Sequence, residues 1–352
     1  MNASPLYVKE AYLYDSLPDK AVQCRVCSHY CKIAEGRRGI CRVRENRYGR
    51  LVSLVYDRVV AASADPIEKK PIFHLRPGSK AFSIATMGCN LKCRFCQNSD
   101  IAHPRDPGAD RGGIYLAGQQ LSPEDIVTRA LDSGCESIAY TYTEPSVFFE
   151  LALDTARLAR SRGLYNIFVT NGFMSPELVE KAAPVLDAAN VDLKAFTEKF
   201  YKKFCSARLE PVKETLKLMK DKGILVEVTT LVIPGLNDDP TELARAAEFI
   251  AQDLGPETPW HLSRFHPAYQ MLDRGATPVK TLEKACEIGE KAGLFHVYTG
   301  NVAGARESTF CHGCGALAVR RQGYGIETFL LENGVCPQCK TPVYGIYAPG
   351  AA

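Results

Sequence analysis

The stretch AFSIATMGCNLKCRFCQN, residues 81–98, joins a strand-like apolar run to a loop that holds three cysteines. The run covers residues 81–86, and Cys89, Cys93 and Cys96 follow in the spacing Cys-x3-Cys-x2-Cys. A structural zinc site needs four protein ligands. Three closely spaced thiolates suit three irons of a [4Fe-4S] cube with its fourth iron left open, an exception to all-cysteine ligation.

An open iron of this kind can chelate the amino and carboxylate groups of S-adenosylmethionine (SAM). One electron from the cluster can then break a sulfonium C–S bond and release a 5′-deoxyadenosyl radical, while the protein supplies position and exclusion. The rival interpretations are three free thiols and half of a split zinc site. The spacing, the aromatic Phe95 and the preceding strand favour the cluster.

The cysteine spacing and the motif MGCNLKCRFCQN resemble those of radical SAM enzymes, in the branch that includes pyruvate formate-lyase activating enzyme. DPIEKKPIFHLRPGS at 65–79 and WHLSRFHPAY at 260–269 are similar to the AmmeMemoRadiSam-system radical SAM family, named for its association with AMMECR and Memo proteins. The similarity runs from about Cys24 to Tyr347. It implies a low-potential electron donor (flavodoxin or ferredoxin) and AMMECR and Memo family partners.

Composition indicates a globular chain of 352 residues, with 46% hydrophobic and 24% charged residues. A net charge of +3 is too small to indicate binding to nucleic acid or to an anionic membrane. No apolar run approaches a membrane span, and the start lacks the apolar core of a signal peptide, so we expect a cytoplasmic protein. Fourteen cysteines in such a compartment indicate metal rather than disulfides.

The first 60 residues are predicted to form a cysteine-rich metal-binding segment. Residues 1–22 read as a helical lead-in, and residues 42–60 as a hairpin that turns at Tyr48-Gly49. Between them stand Cys24, Cys27, Cys31 and Cys41. A zinc knuckle, a second iron–sulfur cluster and unligated cysteines all remain open there. Relatives with extra clusters usually insert them after the SAM motif, which favours zinc.

Residues 61–304 are predicted to form a partial (β/α)6 barrel of the TIM type. Strand-like runs alternate with helical runs, at 81–86, 136–142, 165–170, 188–193, 224–233, 260–265 and 294–299. Ser122, Ser175 and Asp239 each precede a proline, as capping residues do. About six βα units are too few for a closed eight-stranded barrel. The Gly/Pro-rich stretch 99–121 either covers the open mouth or is a plain solvated loop.

Residues 305–352 are predicted to form a zinc-ribbon-like module. Cys311, Cys314, Cys336 and Cys339 make two knuckles with glycine or proline turns. A rubredoxin-like iron site is the alternative, and His312 is expected to be solvated. The three remaining cysteines are isolated and are expected to be buried apolar residues; they are Cys135, Cys205 and Cys286.

Polar residues follow the predicted strands, where active sites of parallel βα folds collect. The resemblance implies SAM contacts from Glu144, Asn171, Asp192, Lys194 and His266. Tyr-Thr-Glu-Pro replaces the usual Gly-Gly-Glu at Glu144, and Val169 replaces the family's cation-binding aspartate. Three of these predictions also have a structural interpretation: Glu144 as a helix N-terminal acid, Asp192 and Lys194 as a buried ion pair, and His266 as a structural histidine.

The leading function is SAM cleavage and hydrogen abstraction, with a glycyl-radical-type protein as the substrate. The alternatives are radical modification of a small molecule or peptide, and a non-enzymatic metal-binding scaffold.

Overall fold

The computed structural model describes residues 8–103, 116–302, 304 and 306–347. Its N-terminal part contains two small antiparallel sheets. Their strands are β1 (Lys9–Glu10), β2 (Tyr14–Ser16), β3 (Val22–Cys24), β4 (Lys32–Ile33), β5 (Arg44–Arg47) and β6 (Arg50–Ser53). The predicted hairpin is confirmed, since β5 and β6 pair on either side of Tyr48 and Gly49, which both have positive φ.

The helical lead-in is wrong for the described residues 8–22, which form β1, β2 and a 3-10 turn at Pro18–Lys20. Tertiary contacts replace the local helix. The backbone amide of Tyr12 donates to Glu150 Oε1 at 3.1 Å, and its hydroxyl donates to Asp154 at 2.7 Å. Strand β2 pairs with β3, so this segment is held by neighbours that its own periodicity does not show.

A nine-stranded sheet dominates the described part of the chain. Its parallel strands are β8 (Lys80–Thr86), β10 (Ser137–Tyr140), β11 (Tyr165–Thr170), β12 (Ala188–Asp192), β13 (Leu225–Val232), β14 (Trp260–Arg264) and β15 (Val297–Gly300), adjacent in that order. Antiparallel β7 (Arg58–Pro66) and β9 (Gln119–Gln120) extend the β8 edge. The ends of the seven parallel strands agree with the predicted runs to within a few residues, because strands buried on both faces have apolar sequences.

Helices connect the parallel strands. They are α1 (Ser99–Ala102), α2 (Pro123–Asp132), α3 (Phe149–Ser161), α4 (Pro176–Ala182), α5 (Glu198–Phe200), α6 (Glu210–Asp221), α7 (Pro240–Phe249) and α8 (Val279–Lys291). Short 3-10 turns lie at Ile67–Lys69, Pro145–Phe148 and Ala183–Val185, and π-turns at Tyr201–Cys205 and Ile250–Leu254. No helix in the described ranges is long and apolar enough to cross a bilayer.

The predicted helix starts are confirmed by their caps. Ser122 accepts a hydrogen bond from the Asp125 amide, Ser175 from the Leu178 amide, and Asp239 from two amides of α7. Within the stretch 99–121, residues 104–115 lie outside the described residues. The prediction that this stretch covers the mouth of the barrel therefore also lies outside them.

The C-terminal module pairs β16 (Thr309–Phe310), β17 (Leu317–Gln322) and β18 (Gly325–Phe329) in an antiparallel sheet. The tail that follows returns to the large sheet. Tyr344 and Ile346 pack on a cluster formed by Ile67, Leu75 and the first residues of several parallel strands. The Ile346 amide donates to the His74 carbonyl at 2.7 Å. This tail therefore packs on the end of the sheet opposite the cysteine loop.

Candidate active site and metal centres

The three-cysteine loop leaves β8 through Gly88 and is fixed by backbone hydrogen bonds. Gly88 has a φ of +101°, and a Cβ there would lie 2.7 Å from Val43 Cγ1, so only glycine fits. The amides of Lys92 and Arg94 donate to the carbonyls of Cys205 and Phe204, both at 2.9 Å. The loop is therefore held between the N-terminal segment and the π-turn after β12.

One cavity of about 290 Å³ brings the three cysteines together with side chains from the ends of the parallel strands. Cys89, Cys93 and Cys96 share it with Asn171, Asp192 and Lys194, and with the threonines that follow β10. These residues come from separate stretches of the chain and meet because parallel strands end at one edge. The thiols suit a cluster with several irons, and the polar wall suits a zwitterionic ligand.

Lys194 is one of three lysines that line this cavity. Its Nζ lies 2.8 Å from Asp192 Oδ2, and its side chain is 13% exposed. Burial alone would lower the pKa of Lys194, but the charges of Asp192, Cys93 and Cys205 raise it well above its usual value. The ammonium group is therefore protonated and stands beside thiols and a carboxylate, where it can meet an anionic group of a ligand.

Glu144 lies beneath the cavity and is not among the residues that line it. The side chain is completely buried, and its carboxylate accepts hydrogen bonds from the amides of Ser146 and Asn171 and from the Thr170 hydroxyl, at 2.8–3.1 Å. Burial raises the pKa of Glu144, although those amide donors act to lower it. Asn171 in turn donates to Asn90 Oδ1 at 2.8 Å. Glu144 thus positions Asn171 next to the cysteine loop.

We expect Glu144→Gln to lower the free energy of unfolding by roughly 1–3 kcal/mol, because an amide group would face donors that now have an acceptor. Urea denaturation of the wild type and the variant measures this loss. Glu124→Gln is the matched control, since Glu124 is exposed on α2 and its change should stay within about 0.5 kcal/mol. A Glu144→Gln protein of unchanged stability that no longer binds SAM would show a direct contact instead.

His266 is exposed and does not line the cavity. Ser263 and Asn301 line it on that side instead. The structure therefore brings together Asn171, Asp192 and Lys194 but leaves His266 apart.

Two features of the cavity were missed in the sequence. Lys70 is 1% exposed, lines the cavity, and binds Asp65 and the Tyr142 hydroxyl at 2.8 and 3.1 Å. Cys205 is buried as predicted, but its thiol also acts on Cys93, whose pKa it lowers. The only sequence signal for Lys70 was the EKKP motif at 68–71, and no local sequence signal pointed to the role of Cys205.

The C-terminal cysteines form a closed four-thiol site. Cys311 Sγ lies 3.5 Å from Cys339 Sγ, and Cys314 Sγ lies 3.7 Å from Cys336 Sγ. Four sulfurs on one tetrahedral zinc with bonds of about 2.3 Å would stand about 3.8 Å apart. His312 is exposed and stacks on Phe295 with ring centroids 4.3 Å apart. The predicted four-cysteine site is therefore present.

The N-terminal cysteines surround a different, small cavity. Cys24, Cys27, Cys31 and Cys41 line it with apolar side chains and Arg44. The segment docks on the large sheet, since Cys27 bridges to Met174 and the Ser28 hydroxyl donates to the Met174 carbonyl at 2.5 Å. This site therefore adjoins the loop that carries Asn171.

Comparison with known proteins agrees with the geometry. The family description Radical SAM superfamily matches residues 83–247, which include the cysteine loop and strands β10 to β13. A Methanocaldococcus jannaschii protein, named only as uncharacterized, is 44% identical over 327 residues, covering 92% of this chain and 95% of that protein. The family match implies a [4Fe-4S] cluster and SAM, which favours an enzyme over a non-enzymatic scaffold.

More distant relatives share the central part of the chain. The pyruvate formate-lyase-activating enzyme of Listeria monocytogenes is 22% identical over 186 residues, covering 49% of this chain and 70% of that enzyme. The crystal structure of a radical SAM methyltransferase from Sphaerobacter thermophilus matches with a TM-score of 0.50 and 16% identity, over 69% of this chain and 71% of the other. The second likeness extends to the fold alone.

Proposed function

The chain belongs to the radical SAM superfamily, and from this premise we propose that it cleaves SAM reductively at Cys89, Cys93 and Cys96 for hydrogen abstraction from a substrate. The bound cluster and SAM supply the 5′-deoxyadenosyl radical. The observation that carries the proposal is the single cavity in which those thiols meet Asn171 and the Asp192–Lys194 pair. Anaerobic reconstitution followed by assay of 5′-deoxyadenosine tests it.

The roles of the wall residues follow from their charges. Lys194 faces the SAM carboxylate, and Asp192, which is 37% exposed, faces the ammonium group. Asn171 offers an amide beside Cys89, with its Nδ2 3.7 Å from Cys89 Sγ. Glu144 acts through Asn171; a direct contact of Glu144 or His266 with SAM stays a prediction.

A basic cavity next to the cluster loop suits a negatively charged electron donor. Its volume is about 410 Å³, and its walls include Cys89 and the basic residues Arg42, Lys92, Arg94 and Lys203. Opposite charges on two partners steer their encounter. This supports a low-potential donor such as flavodoxin or ferredoxin.

The substrate we propose is a protein glycine that becomes a glycyl radical. Similarity to the Listeria activating enzyme supports it. Partners of the AMMECR and Memo families remain part of this proposal. Electron paramagnetic resonance of candidate partner proteins after anaerobic incubation with the enzyme and SAM would reveal a protein-centred radical.

A small molecule or peptide is the second candidate, and a second cavity favours it. This cavity has a volume of about 210 Å³ and shares Lys69 and Ser263 with the SAM cavity, while Tyr324 of the C-terminal module forms another wall. Its size suits a compact group. Modified small products without a protein radical would support this candidate.

The same proposal extends to the architecture. We divide the chain into a cysteine-rich segment (1–60), a partial (β/α)6 barrel (61–304) and a zinc ribbon (305–352). The separate N-terminal sheets support the first part, the parallel sheet supports the second, and the four-thiol site supports the third. Zinc is the proposed metal of that last site because the sulfur spacings of 3.5 and 3.7 Å suit one tetrahedral ion.

We expect Lys194→Met to weaken SAM binding by about tenfold or more, since a charge-assisted contact is worth about 1.5–3 kcal/mol. Equilibrium binding to the reconstituted protein measures the change, and the cluster's absorbance should stay intact. Lys213→Met is the matched control, because Lys213 pairs with Glu210 on α6 and does not line the cavity. Equal SAM affinity in both variants would give Lys194 a structural role.

A further inference from the structure

The N-terminal cysteines are arranged around one enclosed point of the structure. Cys24 ends β3, Cys31 precedes β4, and the Cys24 amide donates to the Cys31 carbonyl at 2.9 Å. Cys27 and Cys41 close the remaining sides, and all four line the same cavity. Val26, Ile33 and Val147 add an apolar wall; Cys24 is buried and the other three cysteines are partly buried.

The spacing of these sulfurs does not suit a single zinc ion. Tetrahedral zinc requires four sulfurs about 3.8 Å apart. Among the described residues, only Cys311, Cys314, Cys336 and Cys339 form a group of three or more metal-ligating side chains whose ligand atoms all lie within 4.8 Å of one another. The N-terminal thiols are more widely spread, as are those of the SAM motif. Thiolates that each bind a different iron of a cube stand further apart than thiolates on one ion.

A buried arginine offers an unused hydrogen-bond donor at the same cavity. Arg44 is 2% exposed and lines the cavity, and its two terminal nitrogens bind Glu150 at 3.0 and 2.7 Å. Its Nε has no hydrogen-bond partner among the described residues. A buried donor without an acceptor is costly, and sulfur atoms of a cluster accept hydrogen bonds that tune its potential.

The cavity adjoins the SAM motif directly. A Cβ on Gly88 would lie 3.2 Å from the Cys41 carbonyl oxygen, so the two cysteine loops touch. Cys41 and Cys89 line the basic cavity together. Asn90, the neighbour of Cys89, also lines the N-terminal cavity. Groups bound at the two sites would therefore be neighbours.

We propose that Cys24, Cys27, Cys31 and Cys41 bind a second [4Fe-4S] cluster, which relays electrons to the cluster on Cys89, Cys93 and Cys96. One electron enters from a low-potential one-electron donor and one electron leaves toward the SAM cluster, with no bond or proton transferred. The relay depends on the proposed SAM cleavage, whereas cluster binding does not.

Metal analysis of the full chain, matured and purified anaerobically, is the first test. A second cluster predicts about eight iron and one zinc per chain, whereas an N-terminal zinc site predicts about four iron and two zinc. The second result would overturn the proposal. Because this count needs no SAM turnover, it fails or succeeds independently of the proposed function.

Variants then locate the additional irons and test the relay. Cys27→Ser with Cys31→Ser should retain about four iron per chain, while the control Cys286→Ala, buried on α8, should retain about eight. In the reduced wild type, two adjacent paramagnetic clusters should broaden each other's resonance signals, and the double variant should show one narrow signal. If the variants fail to fold, the metal count and the signal broadening of the wild type still decide whether a second cluster is present.

The relay itself is tested with reduced ferredoxin as the donor. SAM cleavage per SAM cluster should be slower in the Cys27→Ser, Cys31→Ser variant than in Cys286→Ala, with SAM affinity equal in both. Equal rates would overturn the electron-transfer role, and unbroadened wild-type signals would overturn the adjacency of the clusters.

Discussion

Cys93→Ala should abolish formation of 5′-deoxyadenosine from SAM. Cys93 is buried at the wall of the SAM cavity, and its thiolate is the form that binds iron. A hydrogen bond from the Cys205 thiol lowers the pKa of Cys93, against the burial that would raise it, and Lys194 acts in the same direction as that bond. Alanine removes one of only three cysteine ligands of the cluster. The variant should therefore bind neither the cluster nor SAM in the arrangement needed for cleavage.

The measurement is product formation by anaerobically reconstituted protein under a strong reductant. Cys89→Ala and Cys96→Ala should behave like Cys93→Ala, whereas Cys135→Ala should cleave SAM normally, because Cys135 is buried near α2 and does not line the cavity. A triple variant that cleaved SAM at the wild-type rate would refute the central proposal.

Strands and helix starts could be predicted because their causes are local. The strand Tyr165–Thr170 carries the apolar run Ile-Phe-Val and lies in the middle of the parallel sheet, so its sequence and its environment agree. Ser175 caps α4 through a hydrogen bond to an amide three residues away. Such short-range signals survive without knowledge of the rest of the chain.

Roles within the cavity were harder to predict because they depend on distant partners. Glu144 is predicted to contact SAM, and the structure adds that its carboxylate accepts hydrogen bonds from Thr170, the last residue of β11, and from Asn171. Cys205 approaches Cys93 only because the π-turn after β12 packs on the cysteine loop. No spacing in the sequence encodes these approaches, since they arise from how neighbouring strands end.

The metal sites show the same distinction. Two knuckles near the C-terminus are separated by a hairpin, and the hairpin brings them together, so their spacing predicted the site correctly. The N-terminal pair Cys24 and Cys27 also has knuckle spacing, yet its partners come from a long turn whose geometry the sequence leaves free. Sulfur separations, rather than sequence spacing, distinguish one ion from a cluster.

Cys336→Ser should destabilise the C-terminal module and release its metal, while leaving SAM cleavage per intact cluster measurable. Binding of a structural zinc contributes on the order of 10 kcal/mol to folding of small modules, and loss of one ligand removes much of it. The effect should reach the rest of the chain, because the buried Arg321 of β17 donates to the Phe73 carbonyl at 2.7 Å. None of residues 306–347 lines the SAM cavity.

Zinc content and thermal unfolding measure the first effect, and 5′-deoxyadenosine per mole of SAM cluster measures the second. Gln338→Ser is the matched control, since Gln338 lies between Cys336 and Cys339 but is not one of the four residues of the metal site. A metal-free Cys336→Ser protein as stable as the control would mean that β16–β18 fold without the ion. Loss of SAM cleavage with stability intact would instead mean that the module acts on the SAM site, through Glu68, whose carboxylate lies 3.8 Å from Arg321 and next to the cavity residue Lys69.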